Sequence, residues 1–169
     1  MDELFHQRIN MDTHALVTRF YTAFQDLNWQ DMNPCYHPEA TFHDPVFRTL
    51  TSKEVRAMWH LLCTQAREFS LLYSVVEASP DKARCHWQAH YTFSKTGRLV
   101  INDIQANFVM KDGLIYAHHD EFDLWRWSRM ALGLPGIVLG WSPYLKNKLH
   151  LTARKGLDRF IAQHPQYQY

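Results

Sequence analysis

From Leu71 to Asp123 the chain reads LLYSVVEASPDKARCHWQAHYTFSKTGRLVINDIQANFVMKDGLIYAHHDEFD. Apolar residues recur here at every second position, the spacing of strands with one buried face. Three turn signals divide the stretch: Ser79-Pro80-Asp81, Lys95-Thr96-Gly97 and Lys111-Asp112-Gly113. The pattern predicts four strands, over 71–78, 83–93, 98–110 and 114–123, joined as an antiparallel meander.

Upstream the period is 3.6. After a loose lead-in over residues 1–11, Asp12 is a plausible N-cap for a helix carrying Leu16, Val17, Phe20, Tyr21, Phe24 and Leu27 on one side. A short helical piece follows over 29–36, limited by Pro34. Residues 40–47 contain Pro45 and read as an extended edge or a turn, not as a central strand. Thr51 and Glu54 make a capping box. Val55, Met58, Trp59, Leu62, Cys63 and Ala66 then form one stripe, which predicts a second long helix over 51–69.

Downstream, residues 124–141 are apolar and punctuated by glycine. They read as a buried crossing segment or lid, with a membrane-touching loop as the alternative. Ser142-Pro143 opens a last amphipathic helix over 144–163, with Leu145, Leu149, Ala153, Leu157 and Phe160 on one face. Helices first and a meander afterwards give an α+β class, with N-terminal helices packed on a curved antiparallel sheet and a C-terminal helix added.

The 169 residues suit a single domain, 46% hydrophobic and 21% charged, which excludes a disordered or fibrous chain. Lys plus Arg is 18 against 17 Asp plus Glu, so the basic excess expected of a nucleic-acid binder is missing. Cys35, Cys63 and Cys85 are odd in number and lack CxxC spacing, so they read as reduced thiols of a cytoplasmic protein. The start, Met1 to His6, shows neither half of a secretion signal, and no apolar run is long enough to span a bilayer. No membrane partner is expected. The chain is rich in aromatics (10 Phe, 8 Tyr and 6 Trp), which suits a lined pocket as well as a thick core.

Two segments in this frame carry a resemblance: Arg19-Phe20-Tyr21-Thr22-Ala23-Phe24, and Tyr36-His37-Pro38-Glu39-Ala40-Thr41-Phe42-His43-Asp44-Pro45-Val46-Phe47. The Thr96-Gly97-Arg98 turn, Asn107-Phe108 and Asp112-Gly113-Leu114-Ile115 continue the series. Over about residues 12–123 the chain resembles the nuclear-transport-factor-two-like superfamily, the cone-shaped α+β fold of ketosteroid isomerases and SnoaL-like polyketide cyclases. Residues 124–169 depart from the ketosteroid isomerases and would form a C-terminal lid and helix. The resemblance implies that Asp44 matches the general base of the isomerases. It also implies that Phe20 and Ala106 stand where that family has its two oxyanion donors, with Tyr21 one residue on. Steroid-type isomerisation is therefore not expected.

Alternation sorts the strand faces, and the resemblance says which face is inward. The inward set is Asn102, Ile104, Ala106, Phe108 and Met110, then Trp87, Ala89, Tyr91 and Phe93, then His118, Asp120 and Phe122. The expected catalytic residues are Asp44, His118 and Asp120. The expected ligand-binding residues are Tyr21, Phe24, Trp59, Trp87, Tyr91, Asn102 and Phe108. A few polar groups in an aromatic cleft suit a small apolar or cyclic molecule. Each has a plainer alternative: Asp44 capping its own turn, His118 as a core histidine, Asp120 paired with Arg126 or Arg129. The outward residues, His86, Gln88, His90, Asp103, Gln105, Asn107, His119 and Glu121, with apolar neighbours such as Val100 at the strand ends, offer a face for a homodimer.

Three functions fit this reading. The first is a cofactor-independent isomerase, cyclase or dehydratase in which Asp44, with His118 and Asp120, moves a proton. Epoxide hydrolysis would need an inward Arg, and the strands show none. The second is a metal oxygenase using His118 and Asp120 with His150 or His164; metal and cofactor are expected to be absent. The third is a ligand-binding or scaffold module without chemistry.

Overall fold

The structure, a computed structural model, describes residues 2–168, with side chains from Thr13 onward. Helix α1 (Asp2–Gln25) begins ten residues before the expected cap at Asp12, so no loose lead-in separates it from the chain start. Its buried side chains include Val17, Phe20, Tyr21 and Phe24, which fill the hollow of the sheet. Helix α2 (Trp29–Met32) is one turn long and passes into a 3-10 turn at Asn33–Cys35, where Pro34 stops it.

Tyr36 does not end that helix. It starts strand β1 (Tyr36–Asp44), which forms a hairpin with the short strand β2 (Arg48–Thr51). Helix α3 (Ser52–Gln65) carries the expected capping box between Thr51 and Glu54 and buries Val55, Ala57, Met58, Trp59, Leu61 and Cys63; Leu62 is exposed. The meander follows as β3 (Ser70–Ala78), β4 (Lys82–Phe93), β5 (Arg98–Lys111) and β6 (Leu114–Glu121). At the last turn Asp112 and Gly113 both have positive φ, 54° and 72°, the geometry a two-residue hairpin loop requires.

The six strands form one open, curved sheet in the order β2-β1-β6-β5-β4-β3. Residues 40–47 are thus not at an edge. β1 lies inside the sheet, parallel to β6, with Phe42 opposite His118. Its prolines are accommodated by position. Pro38 falls where the pairing with β6 shifts register, and Pro45 lies just past the strand end. Burial alternates strictly along β5 from Val100 to Met110, so Asn102, Ile104, Ala106, Phe108 and Met110 share the buried face and Val100 joins them. Val100 is fully buried, not an outward neighbour.

The segment after β6 is neither a loop nor uniformly buried. It forms α4 (Leu124–Leu132), α5 (Leu134–Leu139) and the long α6 (Pro143–Ala162). Leu124, Trp127 and Ala131 of α4 join Val100 in a second apolar cluster, against which Val46, Tyr91 and Leu149 pack. This cluster covers the end of the sheet where β1 delivers Asp44. Residues of α5 remain exposed.

Candidate active site

The centre of the concave face is a chain of buried polar groups. Trp59 Nε1 donates to Tyr36 Oη at 2.8 Å. The tyrosine proton is then free to go to His118 Nδ1, 2.6 Å away. Since Nδ1 accepts, the ring proton sits on Nε2, which donates to Asp120 Oδ1 at 2.9 Å. Trp87 Nε1 approaches the same carboxylate oxygen at 3.4 Å. His118 has aromatic neighbours all round, with Phe108 at 4.3 Å, Phe42 at 5.0 Å and Phe20 at 5.7 Å between ring centroids. In such a setting polar atoms need partners, and Trp59 Nε1, Tyr36 Oη, both His118 nitrogens and Asp120 Oδ1 have them.

Asp44 ends β1 on the same face as Phe42. Continuing the parallel register by one step beyond His43 and His119 sets Asp44 beside Asp120. Asp44 is buried, and burial pushes its carboxyl from the ordinary 3.8 up to about 7. The amides of Phe47 and Val46, which donate to Oδ1, oppose that rise; the Asp120 charge adds to it. Asp44 therefore caps its own turn and is also a carboxyl poised near neutrality. α6 clamps that turn, through His150 Nδ1 to Val46 O at 2.9 Å and through Asn147 on Arg48.

The other expected residues divide. Phe24 packs on Trp59 and Trp87 at 5.0 and 5.7 Å, so these three and Phe108 surround the polar chain. Tyr21 also points inward. Its hydroxyl makes no hydrogen bond among the described residues, its polar neighbour being the Cys85 thiol, a weak donor. Phe20 and Tyr21 are both fully buried because α1 lies in the sheet's hollow and is enclosed on more than one side. Asn102 is buried on β5, opposite Ala89 of β4. Tyr91 packs against both apolar clusters, and its hydroxyl accepts from Trp127 Nε1 at 2.8 Å.

Two alternatives for these residues are corrected by geometry. Asp120 pairs with His118 and not with Arg126 or Arg129, which are exposed on α4. The metal set does not assemble: His118 and Asp120 bond each other, and neither candidate third ligand joins them. His150 binds a backbone carbonyl, and His164 stacks on Phe160. No three metal-binding side chains converge among the described residues. Tyr36 is the site residue that sequence reasoning missed. Carrying the period of two backward from Asp44 through Phe42 and Ala40 would have placed it on the inner face; Pro38 obscured that signal.

The family model for the SnoaL-like domain matches residues 17–118. A search of curated proteins finds no match. Among solved structures, an NTF2-like protein of unknown function from Burkholderia pseudomallei is 18% identical, with a TM-score of 0.63. The alignment covers 72% of this chain and 98% of that one. A proposed polyketide cyclase from Silicibacter sp. is 16% identical, with a TM-score of 0.61, and the coverage is 70% and 93%. An epoxide hydrolase of the LEH-like type from M. tuberculosis is 15% identical, with a TM-score of 0.59, and the coverage is 77% and 97%. At these identities the structures share the fold alone. The family match spans more than half of the chain, and on that ground the chain belongs to the SnoaL-like domain family.

Proposed function

We propose that the protein is a cofactor-independent acid–base catalyst, an isomerase, cyclase or dehydratase acting on a small apolar or cyclic molecule. One observation carries this reading. Asp44 is a buried carboxyl pushed up to about 7, standing beside a second carboxylate, Asp120, that His118 and Trp87 hold in place. Such a group takes a proton from carbon at neutral pH and returns it at a neighbouring atom. Trp87, Phe24, Trp59 and Phe108 pack around the polar chain and give it an apolar surrounding. The Asp120 charge acts from a distance by raising the proton affinity of Asp44.

Phe20 and Ala106 offer no donor to a dienolate oxygen. Each missing donor is worth about 10²–10³ in rate, so a 5-ene-3-ketosteroid is not the expected substrate. A non-catalytic binding module is the second reading. It is favoured by the Asp44 oxygen already engaged with the amides of Val46 and Phe47. The three buried free cysteines suit a reducing compartment such as the cytoplasm.

The test is exchange of C–H for C–D in heavy water across a panel of cyclic ketones and lactones, followed by NMR. The catalytic reading expects a ligand whose exchange the protein speeds. It also expects Asp44→Asn to lower that rate about 10²–10⁴-fold with folding unchanged. Binding without exchange, or exchange indifferent to Asp44→Asn, leaves the binding module.

A further inference from the structure

The C-terminal part of the chain has an unusual distribution of charge and apolar surface. Residues 124–157 hold six of the 18 Lys and Arg and none of the 17 Asp and Glu. The nearest carboxylate before them, Asp123, is engaged in capping α4 through the amides of Trp125 and Arg126. Eight large apolar residues between Trp125 and Leu151 are exposed, among them Leu134 at 76%, Val138 at 62% and Trp141 at 61%. This region lies outside the stretch that matches the family.

Helix α5 is built inside out. Its face toward the protein is glycine: a Cβ at Gly136 would collide with the Ser128 carbonyl, and one at Gly140 with the Ser128 hydroxyl and Trp125. Its outer surface is Leu134, Ile137, Val138 and Leu139. A surface helix facing only water has the opposite arrangement. The C-terminal carbonyls of α5 are also satisfied without water. Gly136 O accepts from the Gly140 amide, Ile137 O from Trp125 Nε1, Val138 O from Trp141 Nε1 and Leu139 O from the Ser142 amide. The two exposed indoles thereby satisfy their only polar atoms and present hydrocarbon outward. A helix end so closed suits a medium poor in water.

Cations lie on the elements to either side of this apolar tip in the chain. Arg126 and Arg129 flank it on α4, Arg129 lying over the Trp125 ring at 4.8 Å. Lys146 and Lys148 are exposed on the first turns of α6. A depression of about 680 Å³ beside α5 is lined by Arg98, Leu99, Arg126, Arg129, Met130 and Ile137, so guanidinium groups meet apolar carbon there. No helix among the described residues is long and apolar enough to cross a membrane, so a bilayer partner would be met at its surface.

We propose that α5 and its flanks dock on the surface of an anionic phospholipid bilayer, with Leu134, Ile137, Val138 and Trp141 in the headgroup layer and the surrounding Arg and Lys on lipid phosphates. Apolar insertion and charge attraction act together at such surfaces, each of them weak alone. A second copy of the chain fits this patch less well, because a two-fold contact would set Arg98, Arg126 and Arg129 against their own copies.

Co-sedimentation of the full chain with phosphatidylglycerol–phosphatidylcholine vesicles, against pure phosphatidylcholine, tests the proposal. Binding to the anionic vesicles is expected, with a blue shift in tryptophan emission and loss of binding near 1 M salt, where the Debye length is about 3 Å. Leu134→Asp/Val138→Asp and Lys146→Glu/Lys148→Glu are each expected to lower binding about tenfold or more without changing the melting temperature. The sites are exposed, so folding is not at risk. Equal partition to both vesicle types, or none to either, overturns the proposal. So does a self-association that the Leu134→Asp/Val138→Asp variant abolishes while vesicle binding is unchanged.

Discussion

His118 donates its Nε2 proton to Asp120 Oδ1 across 2.9 Å, two residues apart on one face of β6, with side-chain exposures of 0% and 4%. The pair holds because Tyr36 occupies the other ring nitrogen and Trp87 reaches the same carboxylate. Removing one member leaves its neighbours buried and unpaired. Tyr36→Phe deprives both Trp59 Nε1 and His118 Nδ1 of a partner and should cost about 1–3 kcal/mol of stability. Asp120→Ala should likewise cost about 1–3 kcal/mol, by leaving the His118 Nε2 and Trp87 Nε1 donors unpaired. Urea unfolding measures both, and a loss below about 0.5 kcal/mol for either would mean that water already serves these groups.

Asp44 predicts a pH dependence with a definite sign. Its carboxyl binds a proton more tightly when folded, at about 7 against 3.8. Between those values the folded chain holds a proton that the unfolded chain has released. Stability from this group is therefore full below about pH 4 and falls as pH rises to about 7. Each tenfold in proton affinity is worth about 1.4 kcal/mol, so the loss is a few kcal/mol. Asp44→Asn keeps the side-chain oxygen that caps the turn and cannot ionise. Its melting temperature should exceed that of the natural protein at pH 8 and match it near pH 4. Melting curves that stay parallel across this range would show that Asp44 is solvated.

Gly136 has no room for a side chain, since a Cβ would overlap the Ser128 carbonyl of α4. Gly136→Ala should push α5 off α4 and cost about 1–3 kcal/mol or more, as overpacking does elsewhere. Gly156, with open space around it, is the control, and Gly156→Ala should be neutral or mildly stabilising. Thermal melts of the two variants side by side make the comparison.

A homodimer through the outer sheet face is proposed. That face holds the His86–Asp103 pair, His43 edge-on to His119 at 4.9 Å, and the exposed Gln105. Sedimentation should show twice the chain mass of 20.1 kDa at micromolar concentration. Gln105→Glu should weaken the dimer by setting like charges across the two-fold. A monomer at those concentrations would remove the proposal.

The fold class, the four meander strands, the capping box at Thr51 and the sorting of β4, β5 and β6 into two faces were legible in the sequence, because periods of two and 3.6 are local properties; the resemblance said which face is inward. His118 and Asp120 were legible for the same reason, as polar residues on an apolar face. Tertiary structure alone decided the place of β1. Its parallel pairing with β6 joins Phe42 to His118, far apart in the chain, and no local period reports a partner strand. That pairing brings Tyr36 to His118 and sets Asp44 beside Asp120, so the candidate site itself is a product of the pairing. The direction of α5 was likewise hidden. An apolar run flanked by glycine reads the same whether its large side chains face in or out. Only the close approach of Gly136 to Ser128 decided that they face out.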